Sequence, residues 1–174
     1  MQFKLTALVS AAVLAAPVLA QNVNYEGFAS TVSCSGSAFG CTDGGAICCS
    51  LPTGFGFSAQ FNNLPSGSQG QGYTGGGCGN FVFSVFGPGT KCQNLGGGRV
   101  SNLNWFHSPQ GGRRAVQARA AEEATACSEP SYFRYTVNGA ERTIKVPATT
   151  GSAQTIADLY LARNMTALSA YEDY

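Results

Sequence analysis

Asn80-Phe-Val-Phe-Ser-Val-Phe86, followed at once by Gly87-Pro-Gly-Thr90, decides the fold class. The first seven residues carry no charge and are dominated by the aromatic and β-branched types that suit a pleated surface. Being apolar on both faces, the run predicts a central strand, and Gly-Pro-Gly supplies the turn chemistry that ends it. Upstream, Phe55-Gly-Phe57-Ser-Ala59-Gln-Phe61 alternates apolar with small or polar residues, the period of a strand with one buried face. Between the two, Pro65 to Cys78 is so rich in Gly, Ser and Gln that it reads as a long loop. Downstream, Arg99-Val-Ser-Asn-Leu-Asn-Trp-Phe106 predicts a further strand with Leu103 and Trp105 on one face. Nothing from residue 34 to residue 107 has helical spacing.

Cysteine fills the same region. Six of the seven cysteines lie between residues 34 and 92 (Cys34, Cys41, Cys48, Cys49, Cys78, Cys92), and the seventh, Cys127, stands apart in sequence. In an exported chain this count implies a disulfide framework. Three bridges are expected among the six, in a pairing that spacing alone leaves open. Cys127 is then free or bonded to another molecule, so a disulfide-linked dimer is one expectation.

Export is read from the start of the chain. Met1-Gln-Phe-Lys4 gives one positive charge, about fifteen nearly all apolar residues follow, and Val18-Leu19-Ala20 precedes Gln21. This is the pattern of a signal peptide cut after Ala20, with an apolar core shorter than the 18 or more residues that cross a bilayer. A secreted, extracellular product is expected, without membrane insertion. Removing residues 1–20 leaves nine basic and nine acidic side chains. That balance lacks the clustered Lys and Arg that a nucleic-acid backbone requires.

Glycine and charge divide the mature chain near residue 112. Residues 21–112 hold 21 of the 23 glycines and four charged side chains, whereas residues 113–174 hold two glycines and fourteen charges. The expected organisation is a Gly/Cys-rich β region over 21–112, a charged Ala-rich linker over 113–130, and a unit over 131–174 that packs on the β region. Within the last unit, Ser131 to Val137 and Glu141 to Val146 flank Asn138-Gly139, the strongest short hairpin signal. Ser152 is placed to cap a helix that presents Ile156, Leu159 and Tyr160 on one face and runs to about residue 170. The fold class is therefore α+β and mostly β: a disulfide-stabilised antiparallel sheet or sandwich with a C-terminal hairpin and helix.

Residues for chemistry are few. His107 is the one histidine and the one side chain whose ordinary pKa suits general base work near neutral pH. A small secreted hydrolase would need it beside a hydroxyl and a carboxylate, yet no Gly-x-Ser-x-Gly motif accompanies it. Cys48-Cys49 lacks the gap of a zinc knuckle, and the Gly70–Gly79 stretch precedes a strand where a phosphate cradle opens a helix; no metal and no cofactor is expected. Tyr73, Asn102, Asn104, Trp105, Phe106 and His107 form the one concentration of amide, imidazole and aromatic groups suited to binding a sugar. The core role competes for Trp105. Arg113-Arg114 is a dibasic pair open to a processing protease, and Asn164-Met-Thr166 is a glycosylation sequon.

Cys41, Cys48-Cys49-Ser50 and Gly54-Phe55-Gly56 resemble the cysteine-pair core of hevein-type chitin-binding domains, without the cysteine and aromatic cluster that follows in those domains; the resemblance implies affinity for glycan. Phe81 and Phe86 before Gly87-Pro-Gly89 are similar to the aromatic corner of βγ-crystallin-like domains, with the glycine one residue out of place, which implies a sandwich. The leader, the cysteine count and the modest length together resemble the small secreted cysteine-rich, effector-like proteins of filamentous fungi. That resemblance implies an extracellular, non-catalytic protein that binds a host protein or a polysaccharide. A cell-wall glycan-binding module and an antimicrobial or toxin-like protein are the alternatives, the last opposed by the neutral charge.

Overall fold

The computed structural model describes residues 21–30, 33–107 and 127–174. The leader with Ala20, the Arg113-Arg114 pair and the linker as far as residue 126 lie outside the described residues. Eleven strands follow in order: β1 (Val23–Phe28), β2 (Ala38–Asp43), β3 (Cys48–Ser50), β4 (Ser58–Leu64), β5 (Ser68–Thr74), β6 (Asn80–Phe86), β7 (Gly89–Asn94), β8 (Asn102–His107), β9 (Cys127–Ser128), β10 (Tyr132–Val137) and β11 (Ala140–Lys145). Two helices close the chain, α1 (Ser152–Leu161) and the single turn α2 (Met165–Leu168). One sheet has six strands in the order β11-β10-β2-β1-β4-β7 and the other five in the order β6-β5-β8-β3-β9. All pairings are antiparallel except β3 with β9.

Tyr25, Phe39 and Phe61 of the first sheet and Leu103 and Trp105 of the second join one buried cluster, so the sheets form two layers around one interior. The mostly β fold with a C-terminal hairpin and helix is thereby established.

Four local expectations are corrected. Residues 68–74, expected as loop, form β5, a central strand of the five-stranded sheet, paired with β6 and β8. Its Gln-Gly-Gln-Gly run has a period of two, but one face carries glycine where a large side chain would stand. A Cβ at Gly70 would fall within the ring of Phe61, and one at Gly72 within the ring of Phe83. The apolar surface that identifies a strand is thus supplied by other strands. Residues 80–86, expected as a central strand, form β6 at the edge of the sheet. Composition told of β-propensity there, while position is set by strand order.

The tail is more than a unit laid on the sheet. Its strand β10 pairs with β2 through Tyr132–Gly40, Phe133–Phe39 and Arg134–Ala38, and so extends the six-stranded sheet. The Asn138-Gly139 hairpin forms as read, both residues having positive φ (52° and 78°) as a type I′ turn requires. The helix differs from expectation at both ends. Gly151 is its N-cap and makes no side-chain cap bond. Instead the Glu129 carboxylate accepts from the backbone N–H groups of Gly151 (3.0 Å) and Ala153 (3.1 Å), placing an anion at the positive end of the helix. The helix stops at Leu161; Arg163 turns to a φ of 56° and Asn164 caps α2 by accepting from Ala167 N–H at 3.1 Å. The sequon asparagine therefore stands exposed in a break between two helices.

Among the described residues Glu26 is the one charged side chain that is buried. Glu26 on β1 accepts from Arg134 Nη2 at 2.7 Å and from Tyr132 Oη at 3.1 Å, and Arg134 also reaches Glu141 at 3.0 Å. Burial works against the Arg134 charge, but these carboxylates outweigh it and hold its pKa above the ordinary value.

Candidate functional site

The register of the five-stranded sheet sorts its side chains into two faces. Across β6, β5 and β8, Val85, Gly70 and Trp105 align on the inner face; Phe86, Gln69 and Phe106 align on the outer, as do Ser84, Gln71 and Asn104. The outer face is a ladder of amides between aromatic rings. Gln69, Gln71, Asn102 and Asn104 are buried. The Tyr73 hydroxyl donates to Gln71 Oε1, and burial pushes the Tyr73 pKa up to about 12. Asn104 Oδ1, on a side chain only 3% exposed, is the one buried side-chain polar atom among the described residues with no hydrogen-bond partner. A buried unpartnered oxygen costs about 1 to 3 kcal/mol.

Of the six residues read as binding candidates, Tyr73 and Trp105 are core residues and Asn102 and Asn104 are buried; Phe106 is half-buried and His107 exposed. The Trp105 indole N–H donates to Asp43 Oδ1 at 2.8 Å. Asp43 also accepts from the Tyr25 hydroxyl and from Gly45 N–H at 2.8 Å, so this carboxylate ties the β2–β3 turn to both sheets. Burial first and the Asp43 charge second hold the Tyr25 pKa well above the ordinary phenol value. No ring is thus offered flat to a sugar by Tyr73 or Trp105. His107 meets the Trp105 ring at 5.3 Å between centroids and has no carboxylate or hydroxyl partner among the described residues, so the geometry lends a general-base role no support.

The edge of this sheet was missed as a site by the sequence reading. Phe81, Val82 and Phe86 of β6 are 46%, 43% and 53% exposed. Among the described residues no strand pairs with the outer edge of β6. A bulge at Gly72/Tyr73, where the register slips, makes Val82 the unpaired residue that leans out. The signal was present in the uncharged run itself, since edges are ordinarily blunted by Lys or Pro.

The sulfurs are divided between the two sheets, with Cys48, Cys49 and Cys127 on β3 and β9 of the five-stranded one. Cys34 of the β1–β2 connection bonds Cys92 of β7, and Cys41 of β2 bonds Cys49 of β3, joining the two sheets. Cys48 of β3 lies at bonding position to both Cys78 and Cys127. Cys127 therefore does not stand apart: the parallel pairing of β9 with β3 puts it directly beside Cys48. Cys127 also lines a cleft of about 460 Å³, with Glu129, Ser131, Lys145, Val146 and Tyr174 among its other walls.

No described helix is long and apolar enough to cross a membrane. In comparison with known proteins, the model of one family, ARB_05566_N, described as an N-terminal domain, matches residues 25–131. The matched span holds all seven cysteines and both sheets' central strands, and ends one residue before β10. Neither the comparison with curated proteins nor that with solved structures finds a match.

Proposed function

The chain belongs to the ARB_05566_N family, and on that premise we propose that it is a secreted, non-catalytic, effector-like protein that acts outside the cell by binding a partner protein, in the manner of proteins released toward a host. The observation that carries the reading is the β6 edge. A seven-residue strand with three exposed apolar side chains, no charge and an outer edge that no described strand pairs is the surface to which an extended segment of another chain adds as a further strand. Its apolar character favours an uncharged, β-branched or aromatic partner segment. The leader read at residues 1–20 and the bonded cysteines support action in an oxidising extracellular space.

The test is capture from an extracellular host extract by the wild-type protein and by a Val82→Lys/Phe86→Lys variant, with size-exclusion chromatography and circular dichroism on both. A partner held by the wild type and lost at least tenfold by the equally folded variant supports the reading. Equal capture by the two overturns it, as does a wild-type dimer that the variant abolishes, which would make a second copy the occupant.

A cell-wall polysaccharide is the second reading, favoured by the rings of Phe86 and Phe106 on one face of the sheet, the first of them exposed. Sedimentation with insoluble chitin and β-glucan decides it: binding that Phe86→Ala removes supports a glycan, and no binding by the wild type dismisses it.

A further inference from the structure

Three cysteines share one place. Cys48, Cys78 and Cys127 have sulfurs within 4.8 Å of one another, and Cys48 is the member in bonding position to both of the others. The Cα–Cα separations, 5.9 Å to Cys78 and 4.6 Å to Cys127, both lie in the range that a disulfide spans. A sulfur forms one such bond, and the remaining four cysteines are paired among themselves. Whichever of Cys78 and Cys127 is not bonded to Cys48 is left without a disulfide partner inside the chain.

Each of the two has an acceptor waiting for its S–H. Cys78 Sγ lies 3.8 Å from the carbonyl oxygen of Leu103. The Asn102 amide is best satisfied with its nitrogen donating to the carbonyls of Gly75 (2.8 Å) and Gly77 (3.2 Å) and its oxygen accepting from Ser50 Oγ at 3.0 Å. That oxygen then lies 3.5 Å from Cys127 Sγ. Backbone pairing holds Cys127 to Cys48 from one side, and the β5–β6 connection brings Cys78 from the other.

We propose that these residues form a thiol–disulfide exchange site, in which Cys48 passes its bond between Cys78 and Cys127. Starting from the Cys48–Cys78 bond, the Cys127 thiol gives its proton to water and the thiolate attacks Cys48 Sγ. The Cys48–Cys127 bond forms, the Cys48–Cys78 bond breaks, and its electron pair leaves on Cys78 as a thiolate that takes up a proton. No electron is gained or lost overall, so no external oxidant or reductant enters. The exchange changes what is stapled: one bond closes a span of 30 residues and holds the β5–β6 connection, the other a span of 79 and holds β9 with the tail beyond it. Cys127 is the half-exposed member and lines the cleft, whereas Cys78 is 2% exposed, so the thiol meets solvent in one form and is hidden in the other.

The experiment uses the intact oxidised protein and N-ethylmaleimide. Protein quenched in acid, unfolded and then alkylated is expected to carry one label per chain, distributed over Cys78 and Cys127 and never on Cys48, by peptide mapping. Protein first held folded with dilute maleimide for many hours is expected to carry its label on Cys127 alone, because exchange drains the hidden Cys78 thiol into the reactive form. A Cys78 fraction that survives this long exposure unchanged overturns exchange, and so does a label confined to one position in the quenched sample. A chain with no free thiol, its seventh sulfur bonded to a second copy, overturns it too.

Discussion

The end of the molecule formed by residues 131–174 and the end formed by β5, β6 and β8 solve the same problem by opposite means. The first has no cysteine at all and is held by rings: Phe133 stacks on Phe39 at 4.4 Å and on Tyr135 at 5.3 Å, and meets Phe55 and Tyr160 edge-on at 5.7 and 5.2 Å. The second is centred on β5, a strand of glycine and amides, and sulfur cross-links gather beside it. Large side chains make cross-links dispensable at one end; small ones leave the other end short of contacts, and covalent bonds restrict its unfolded state instead. The interior as a whole is more aromatic than a cysteine-stapled chain requires, with Trp105, Tyr25, Tyr135 and five phenylalanines fully buried.

Four perturbations sharpen that contrast. Phe133→Ala removes the ring shared by four aromatic contacts and is expected to cost about 4 to 5 kcal/mol, measured by urea unfolding. Replacing Cys34 and Cys92 together by serine opens a span of 58 residues and should cost about 4 kcal/mol by loop entropy, against about 2.5 kcal/mol for the Cys41–Cys49 pair with its span of 8. Equal losses from the two pairs would show that local packing, and not chain entropy, sets their worth. Gly70→Ala forces a methyl group into the Phe61 ring and is expected to lower stability by about 1 to 3 kcal/mol, whereas an unchanged midpoint would show that Phe61 moves aside freely.

The smallest effect is one of pH. Tyr25, Tyr73 and Tyr132 all have raised pKa values, through burial above all, with carboxylates adding to the effect at Tyr25 and Tyr132. Because the folded values lie above that of an unfolded tyrosine, about 10, their contribution is complete below pH ~10 and is lost as pH climbs toward 12. Absorbance at 295 nm should show the exposed tyrosines ionising first and the buried ones only together with unfolding.

Much of this was legible from residues alone, wherever the residues that make an element also carry its signal. Asn138-Gly139 states its own turn, and Leu103 and Trp105 state the inner face of β8. β5 could not be found that way, since its inner face is empty space filled by Phe61 and Phe83 from other strands. The break at Arg163-Asn164 was hidden because the apolar spacing continues across it to Met165 and Leu168. The candidate surface was half legible: Asn80–Phe86 announced a strand, but only the strand order makes it an edge. Cys127 was separated by 79 residues from the sulfur it faces, and two residues of parallel ladder, Cys127 and Ser128, bring them together.

Hydrogen exchange, read strand by strand in the oxidised protein and after full reduction, tests the contrast most directly. Reduction is expected to strip protection from β3, β5, β6 and β8 while β1, β2 and β10 keep most of theirs. Loss of protection in both sheets together, or first in β10, would contradict it.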